Sequence, residues 1–195
     1  MATWEWRVLS PRVIVSWVQT VCCEGQGMAV RGMPQQPRLE EEPRSNIFRC
    51  YVDGALFVQS GGVVFGCVAF DPAGKFYGAS NGMLRCHSYP LLAEVMAVRE
   101  ALSWLNARGV VDVDLFSDSQ RVVQALKDRS FTSLSYIGSL IEDCRLLVLE
   151  FNVVNFLFIS RSKNIIAHSL ARKAEVSCDV WISSPPDFIF PNLMN

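Results

Sequence analysis

Three acidic residues carry the most chemical information in this chain: Asp53 in CysTyrValAspGlyAla, Glu94 in LeuLeuAlaGluValMetAlaVal and Asp118 in LeuPheSerAspSerGln. Successive acids stand 41 and 24 positions apart, and each falls where a strand or helix begins or ends. Carboxylates gathered at one point repel, which raises their pKa values unless a cation binds among them. Mg²⁺ suits such a cluster, because it prefers hard oxygen ligands and keeps water for chemistry. The chemistry expected of that arrangement is phosphodiester cleavage.

Each acid also has a plainer explanation. Asp53-Gly54 is a turn-forming pair, Glu94 near a helix start is favoured by the macrodipole, and Asp118 ahead of a helix suits an N-cap. What favours the joint reading is the order of the elements that must carry them. Residues 47–53 read as a strand. Residues 62–70 and 75–83 flank Asp71-Pro72-Ala73-Gly74, a type I turn sequence, and the three strands predict an antiparallel meander. Leu91, Val95, Val98, Leu102 and Leu105 then recur at helical spacing, with Gly109 as the C-terminal cap.

Further along, Val111, Val113 and Leu115 alternate with Asp112 and Asp114, giving a strand with one polar face. Residues 119–127 read as a short helix, and Leu134, Ile137, Leu140, Ile141, Cys144 and Val148 mark a longer one. The apolar run 153–159 reads as a buried strand. Ser162 is placed to cap a last helix reaching residue 175, and Pro185-Pro186 to end regular structure.

This order predicts an α/β fold: a mixed five-stranded sheet with helices on both faces. The first three strands form the meander, and the fourth and fifth run parallel to the first. Asp53 then ends the first strand and Asp118 the fourth, its parallel neighbour. Carboxyl ends of adjacent parallel strands are where open α/β sheets build their sites, and Glu94 comes from the helix packed over them.

The 195 residues suffice for one domain with a tail. Residues 1–46 hold Trp4, Trp6 and Trp17 without clean periodicity and pass into a Pro-, Gln- and Glu-rich stretch that reads as a linker. The expected organisation is a poorly structured segment and linker at 1–46, a domain at 47–176 and a tail at 177–195. A net charge of −1 provides no global field for nucleic acid, so binding would rest on a local patch. Seven cysteines, an odd number without a C-x-x-C pair, read as core thiols in a reducing compartment. The apolar stretch 13–23 is interrupted by Ser16, Gln19 and Thr20 and is too short to span a bilayer. The chain thus reads as a soluble intracellular monomer of nucleus or cytoplasm, without membrane association.

Four strings now point to a family: ValAspGlyAla (52–55), AlaGluValMetAlaValArgGluAlaLeu (93–102), SerAspSerGlnArgValVal (117–123) and AsnIleIleAlaHisSerLeuAlaArg (164–172). Through them, residues 47–176 resemble a type 1 ribonuclease H domain, closest to the reverse-transcriptase-like form abundant in plants and their retroelements. The resemblance implies a ribonuclease H-like fold and hydrolysis of the RNA strand of RNA–DNA hybrids. It implies Asp53, Glu94 and Asp118 as metal ligands, Mg²⁺ as the cofactor with Mn²⁺ as a substitute, and His168 as a fourth member of the catalytic set. Gly54, Asn164, Arg161 and Lys163 are the expected nucleic-acid contacts, with RNA told from DNA through the 2′-hydroxyl.

The chain departs from the family pattern in two places. Active members usually carry an Asn-x-x-x-Asp arrangement in the final helix, and here the pair is Asn164 and His168. Imidazole matches Mg²⁺ less well than a carboxylate does. Active relatives also often have a mobile histidine after the fifth strand, where this chain has Ser160, Arg161 and Ser162; His87 reads as an ordinary polar loop residue. Arg172, Lys173, Arg121, Lys127 and Arg129 are further candidates for a basic patch, and Trp104 reads as core. These departures sustain an alternative from another class, a nucleic-acid-binding or interaction module that keeps the fold without turnover. A DEDD-type exonuclease would need an Asp-x-Glu pair that AspGlyAla does not supply.

Overall fold

The computed structural model describes residues 46–57, 62–84, 89–128, 135–174 and 178–193. His87, Arg129, Leu134 and the N-terminal tryptophans lie outside them, as do residues 1–45 of the expected N-terminal segment and linker. Strands β1 (Phe48–Phe57), β2 (Gly62–Phe70) and β3 (Phe76–Leu84) form the expected meander. The turn between β2 and β3 closes through Gly74 N–H on Asp71 O at 2.9 Å. Helix α1 (Pro90–Asn106) follows, then β4 (Asp112–Ser117), α2 (Gln120–Lys127), α3 (Tyr136–Val148), β5 (Val153–Phe158) and α4 (Ile165–Lys173). Gly109, at φ 71°, closes the turn after α1, the left-handed conformation that favours glycine.

Among the described residues the sheet has six strands rather than five, in the order β5-β4-β1-β2-β3-β6. The extra strand, β6 (Val180–Ile182), pairs antiparallel with β3 and is drawn from the expected tail. Nor does Pro185-Pro186 end regular structure: a 3-10 turn at Asp187–Ile189 and a short helix α5 (Phe190–Leu193) follow. Ile189 is fully buried against Val68, Ala79 and Leu170. The segment is held by Asn81, which is buried in β3. Its Nδ2 donates to Leu170 O at 3.0 Å, and its Oδ1 accepts from Asp179 N–H at 2.8 Å.

Alternation along the strands divides the core between two faces. Cys50, Val52, Cys67, Ala69, Val113 and Leu115 face α1, α2 and α3 in one large apolar cluster that includes Leu102 and Trp104. On the other face α4 packs over β2, β1 and β3, with Val68, Ala79 and Leu170 buried beneath it. A glycine permits close approach on each face. A Cβ on Gly54 would collide with the Ala93 carbonyl of α1, and one on Gly66 with the backbone of Ala167 and Ala171 in α4.

Three further expectations need correction. β1 does not end at Asp53; it continues to Phe57 because its pairing with β2 runs on from Asp53↔Gly66 to Phe57↔Gly62. β5 is apolar but is an edge strand rather than a buried one, with only Phe156 buried and Phe158 half exposed. Ser162 does not cap α4; it lies in a 3-10 turn, Arg161–Lys163, and Asn164 precedes the helix. Cys50, Cys67 and Cys144 are free and buried as expected, whereas Cys178 is exposed.

Candidate active site

The three acids arrive from three different elements. Asp53 stands on β1 one residue beyond Val52, whose pairing with Ser117 is the last between β1 and β4. Asp118 is the first residue after β4 and sits on the turn into α2. That turn is shaped by Ser117, fully buried, whose Oγ accepts Ser119 N–H at 3.0 Å. Glu94 lies in the second turn of α1, which Gly54 allows down onto β1. The plainer explanation for Asp118 does not apply: Ser119, and not Asp118, occupies the N-cap position of α2.

One oxygen from each of Asp53, Glu94 and Asp118 lies within 4.8 Å of the others, and this is the site's defining geometry. Asp53 is 4% exposed; Glu94 and Asp118 are half-buried. Burial, with the charges of Asp53 and Asp118 second and third, pushes Glu94 up from 4.5 to about 8. A hydrogen bond from Gly54 N–H and the charge of Arg161 oppose that shift. Asp53 is raised as well, chiefly by burial and then by Asp118, against a lowering by His168.

His168 Nδ1 lies 2.9 Å from Asp53 Oδ2. An ionised Asp53 accepts this bond from the Nδ1–H tautomer. The imidazole therefore reaches the acid cluster as its spacing from Asn164 led one to expect, and it engages a carboxylate there. Asn164 is almost wholly buried, and its Nδ2 donates to Val52 O at 2.8 Å and to Asp118 Oδ1 at 3.3 Å. The Nδ2 donor of this expected nucleic-acid contact is thus engaged within the protein, while its Oδ1 is buried without a hydrogen-bond partner. Gly54 likewise turns its N–H to Glu94. Arg161 and Lys163 are exposed, and Arg161 is close enough to the cluster to lower both Asp53 and Glu94. Arg172, Lys173 and Lys127 are exposed too.

The donor set fits a hard divalent cation: three carboxylates, and a Glu94 Oε2 that is buried without a hydrogen-bond partner. An acceptor left unsatisfied in that way is costly unless something binds it. Sequence reading did not single out Ser117, which shapes the site's turn, or Asn81, which ties α4 and the β6 segment to β3. For Ser117 the signal was the Ser-Asp-Ser sequence, a hydroxyl placed to organise its own turn. For Asn81 no local pattern announces a contact made with residues 170 and 179.

Residues 51–174, well over half the chain, match the family described as reverse transcriptase-like. Among solved structures, the chain is similar to ribonuclease H1 from the halophilic archaeon Halobacterium salinarum, at 24% identity and TM-score 0.61, covering 66% of this chain and 96% of that one. It is also similar to an N-terminal ribonuclease H domain from Mycobacterium tuberculosis, at 19% identity and TM-score 0.60, covering 66% and 93%. A third is a ribonuclease H1 isolated from compost by metagenomics, solved in complex with an RNA/DNA hybrid, at 23% identity and TM-score 0.59, covering 65% and 95%. At these identities the likeness is one of fold, and the ribonuclease H-like fold is the one found here. No curated protein sequence matches the chain.

Proposed function

Because this chain belongs to the reverse transcriptase-like family and has the ribonuclease H fold, we propose that it is a divalent-metal-dependent nuclease hydrolysing the RNA strand of RNA–DNA hybrids. The observation that carries this reading is the convergence of Asp53, Glu94 and Asp118 within 4.8 Å. The hybrid bound by the compost ribonuclease H1 supports the choice of substrate. Mg²⁺, with Mn²⁺ as a substitute, is the cofactor these oxygens suit.

A divalent cation bound there supplies Lewis acidity, lowers the pKa of a bound water and stabilises the charge on the leaving oxygen. The chain's own residues do the rest. Asp53 on β1 and Asp118 on the turn after β4 would hold the cation through carboxylate oxygens, and Glu94 would close the set from α1. His168 fixes one oxygen of Asp53, so that this carboxylate keeps one orientation. Arg161, close to the cluster, and Lys163, exposed on the same 3-10 turn, meet the phosphate backbone and place the scissile bond over the acids.

One observation favours the alternative reading, a binding module without turnover. His168 occupies Asp53 Oδ2 directly, where a fourth carboxylate would instead add charge for a second cation.

Cleavage of a labelled RNA–DNA hybrid in Mg²⁺ and in Mn²⁺, beside Asp53→Asn, separates the two. The wild type should cleave and Asp53→Asn should fall to background while remaining folded. Folded wild type that binds the hybrid and leaves it intact in both metals would establish the binding module instead.

A further inference from the structure

Asn164 is placed at the N-cap position of α4, yet its side chain makes no capping bond to the helix. Its amide points the other way. One side chain bridges Val52 O of β1, at 2.8 Å, and Asp118 Oδ1 on the exit from β4, at 3.3 Å. Val52 and Ser117 form the last pair between these strands, so the bridge sits where β1 and β4 part. The residues carrying two of the three acids diverge at this point, and an amide from a third element spans the gap.

The charges explain why such a bridge matters. Asp53 is fixed within a continuous strand, paired opposite Gly66. Asp118 is on a turn and half-buried, so repulsion from a neighbouring Asp53 carboxylate favours its rotation towards water. A hydrogen bond from Asn164 holds one of its oxygens and leaves the other carboxylate oxygen for a cation. The amide can do this with little freedom of its own, because it is 1% exposed and anchored on a backbone carbonyl.

We propose that Asn164 is a positioning residue that sets the cation affinity of the site by holding Asp118 against β1. This rests on the reading of the acid cluster as a divalent-cation site, and it is independent of turnover. Groups that orient metal ligands in this way are worth on the order of 10- to 100-fold in affinity.

The test is calorimetric titration of the full chain with Mg²⁺, comparing wild type, Asn164→Ala and Asn81→Ala. Asn81 is a buried amide holding α4 at Leu170 that makes no hydrogen bond to any of the three acids, so it controls for general loosening of that helix. Asn164→Ala should bind Mg²⁺ about 10-fold or more weakly, while Asn81→Ala should lower the thermal midpoint and keep wild-type affinity. Equal affinities in wild type and Asn164→Ala would overturn the proposal, and so would an equal loss in both variants. Wild type that binds no divalent cation would instead overturn the cation-site reading beneath it. A second measurement needs no change at Asn164. The side-chain amide resonances of Asn164 should shift when Mg²⁺ is added, and Asp118→Asn should abolish that response. An Asn164 amide indifferent to Mg²⁺ in the wild type would overturn the assignment.

Discussion

The two faces of the sheet are built on different principles. On one, α1 packs against β1, β2, α3 and α2, and the apolar side chains between them and β4 form a deep core. On the other, α4 covers β1 to β3 nearly alone, with four fully buried apolar side chains in its cluster and the polar residues Asn164, His168 and Asn81 engaged alongside. The deep side resists displacement, because close-packed interiors tolerate little change in volume. The shallow side admits polar groups into its packing, with Asn164 and Asn81 buried and hydrogen-bonded and His168 half-buried. The acids collect where the two meet: Glu94 arrives from the deep side, while the side chain of Asp53 turns to the shallow one.

The largest expected effect lies in the deep core. Leu102→Ala, at a fully buried position, should cost about 2–5 kcal/mol of unfolding free energy, measured by urea denaturation, with Mg²⁺ affinity of the folded protein unchanged. A smaller pair sharpens the contrast. Gly54→Ala and Gly66→Ala each drive a methyl group into a helix backbone, from opposite faces, at about 1–3 kcal/mol. Gly54→Ala should be the costlier, because α1 is packed against α3 as well as the sheet in the larger apolar cluster, while α4 can ride outward. The reverse ranking would show that the shallow face is the stiffer one.

Next comes a dependence on pH. Glu94 is raised from 4.5 to about 8 in the folded protein, so its neutral form is favoured by folding. That contribution is complete below pH 4.5, the unfolded value, and is lost as the pH climbs through about 8. The metal-free thermal midpoint should therefore fall between these limits, and Glu94→Gln or added Mg²⁺ should flatten the fall. A metal-free midpoint that rises over the same range would contradict the burial of this acid. The smallest effect belongs to the exposed rim. Arg161→Ala should leave stability within about 0.5 kcal/mol and reduce the salt dependence of hybrid binding by about one phosphate contact.

How far the sequence reveals this depends on whether a feature is local. The meander was legible from Asp71-Pro72-Ala73-Gly74, and α1 from Leu91, Val95, Val98, Leu102 and Leu105, because turn chemistry and helical period are written in neighbouring residues. The acid cluster followed from topology, since each acid lay beside a recognisable element. The end of β1 was misjudged because Asp53-Gly54 looks like a turn, whereas a partner distant in sequence, β2, keeps the strand going. The apolar run of β5 gave no sign of its edge position, which depends on what lies beside it. Strand β6 escaped notice because Val180, Trp181 and Ile182 are too few to show alternation, and their pairing with β3 is fixed by Asn81 about a hundred residues earlier. Asn164 was legible as a site residue, but the direction of its amide was not.

The shortness of β6 has a consequence for how the molecule keeps its own company. The outermost strand of a sheet offers a row of unpaired amides and carbonyls onto which another chain can add, and proteins blunt that hazard by keeping such strands short or breaking them with proline. β6 is three residues long. Pro185 and Pro186, which have no amide hydrogen to offer, follow within four residues of its end. Gly78, Ala79 and Ser80 of β3 are thereby covered by a strip too brief to offer a long template for another chain.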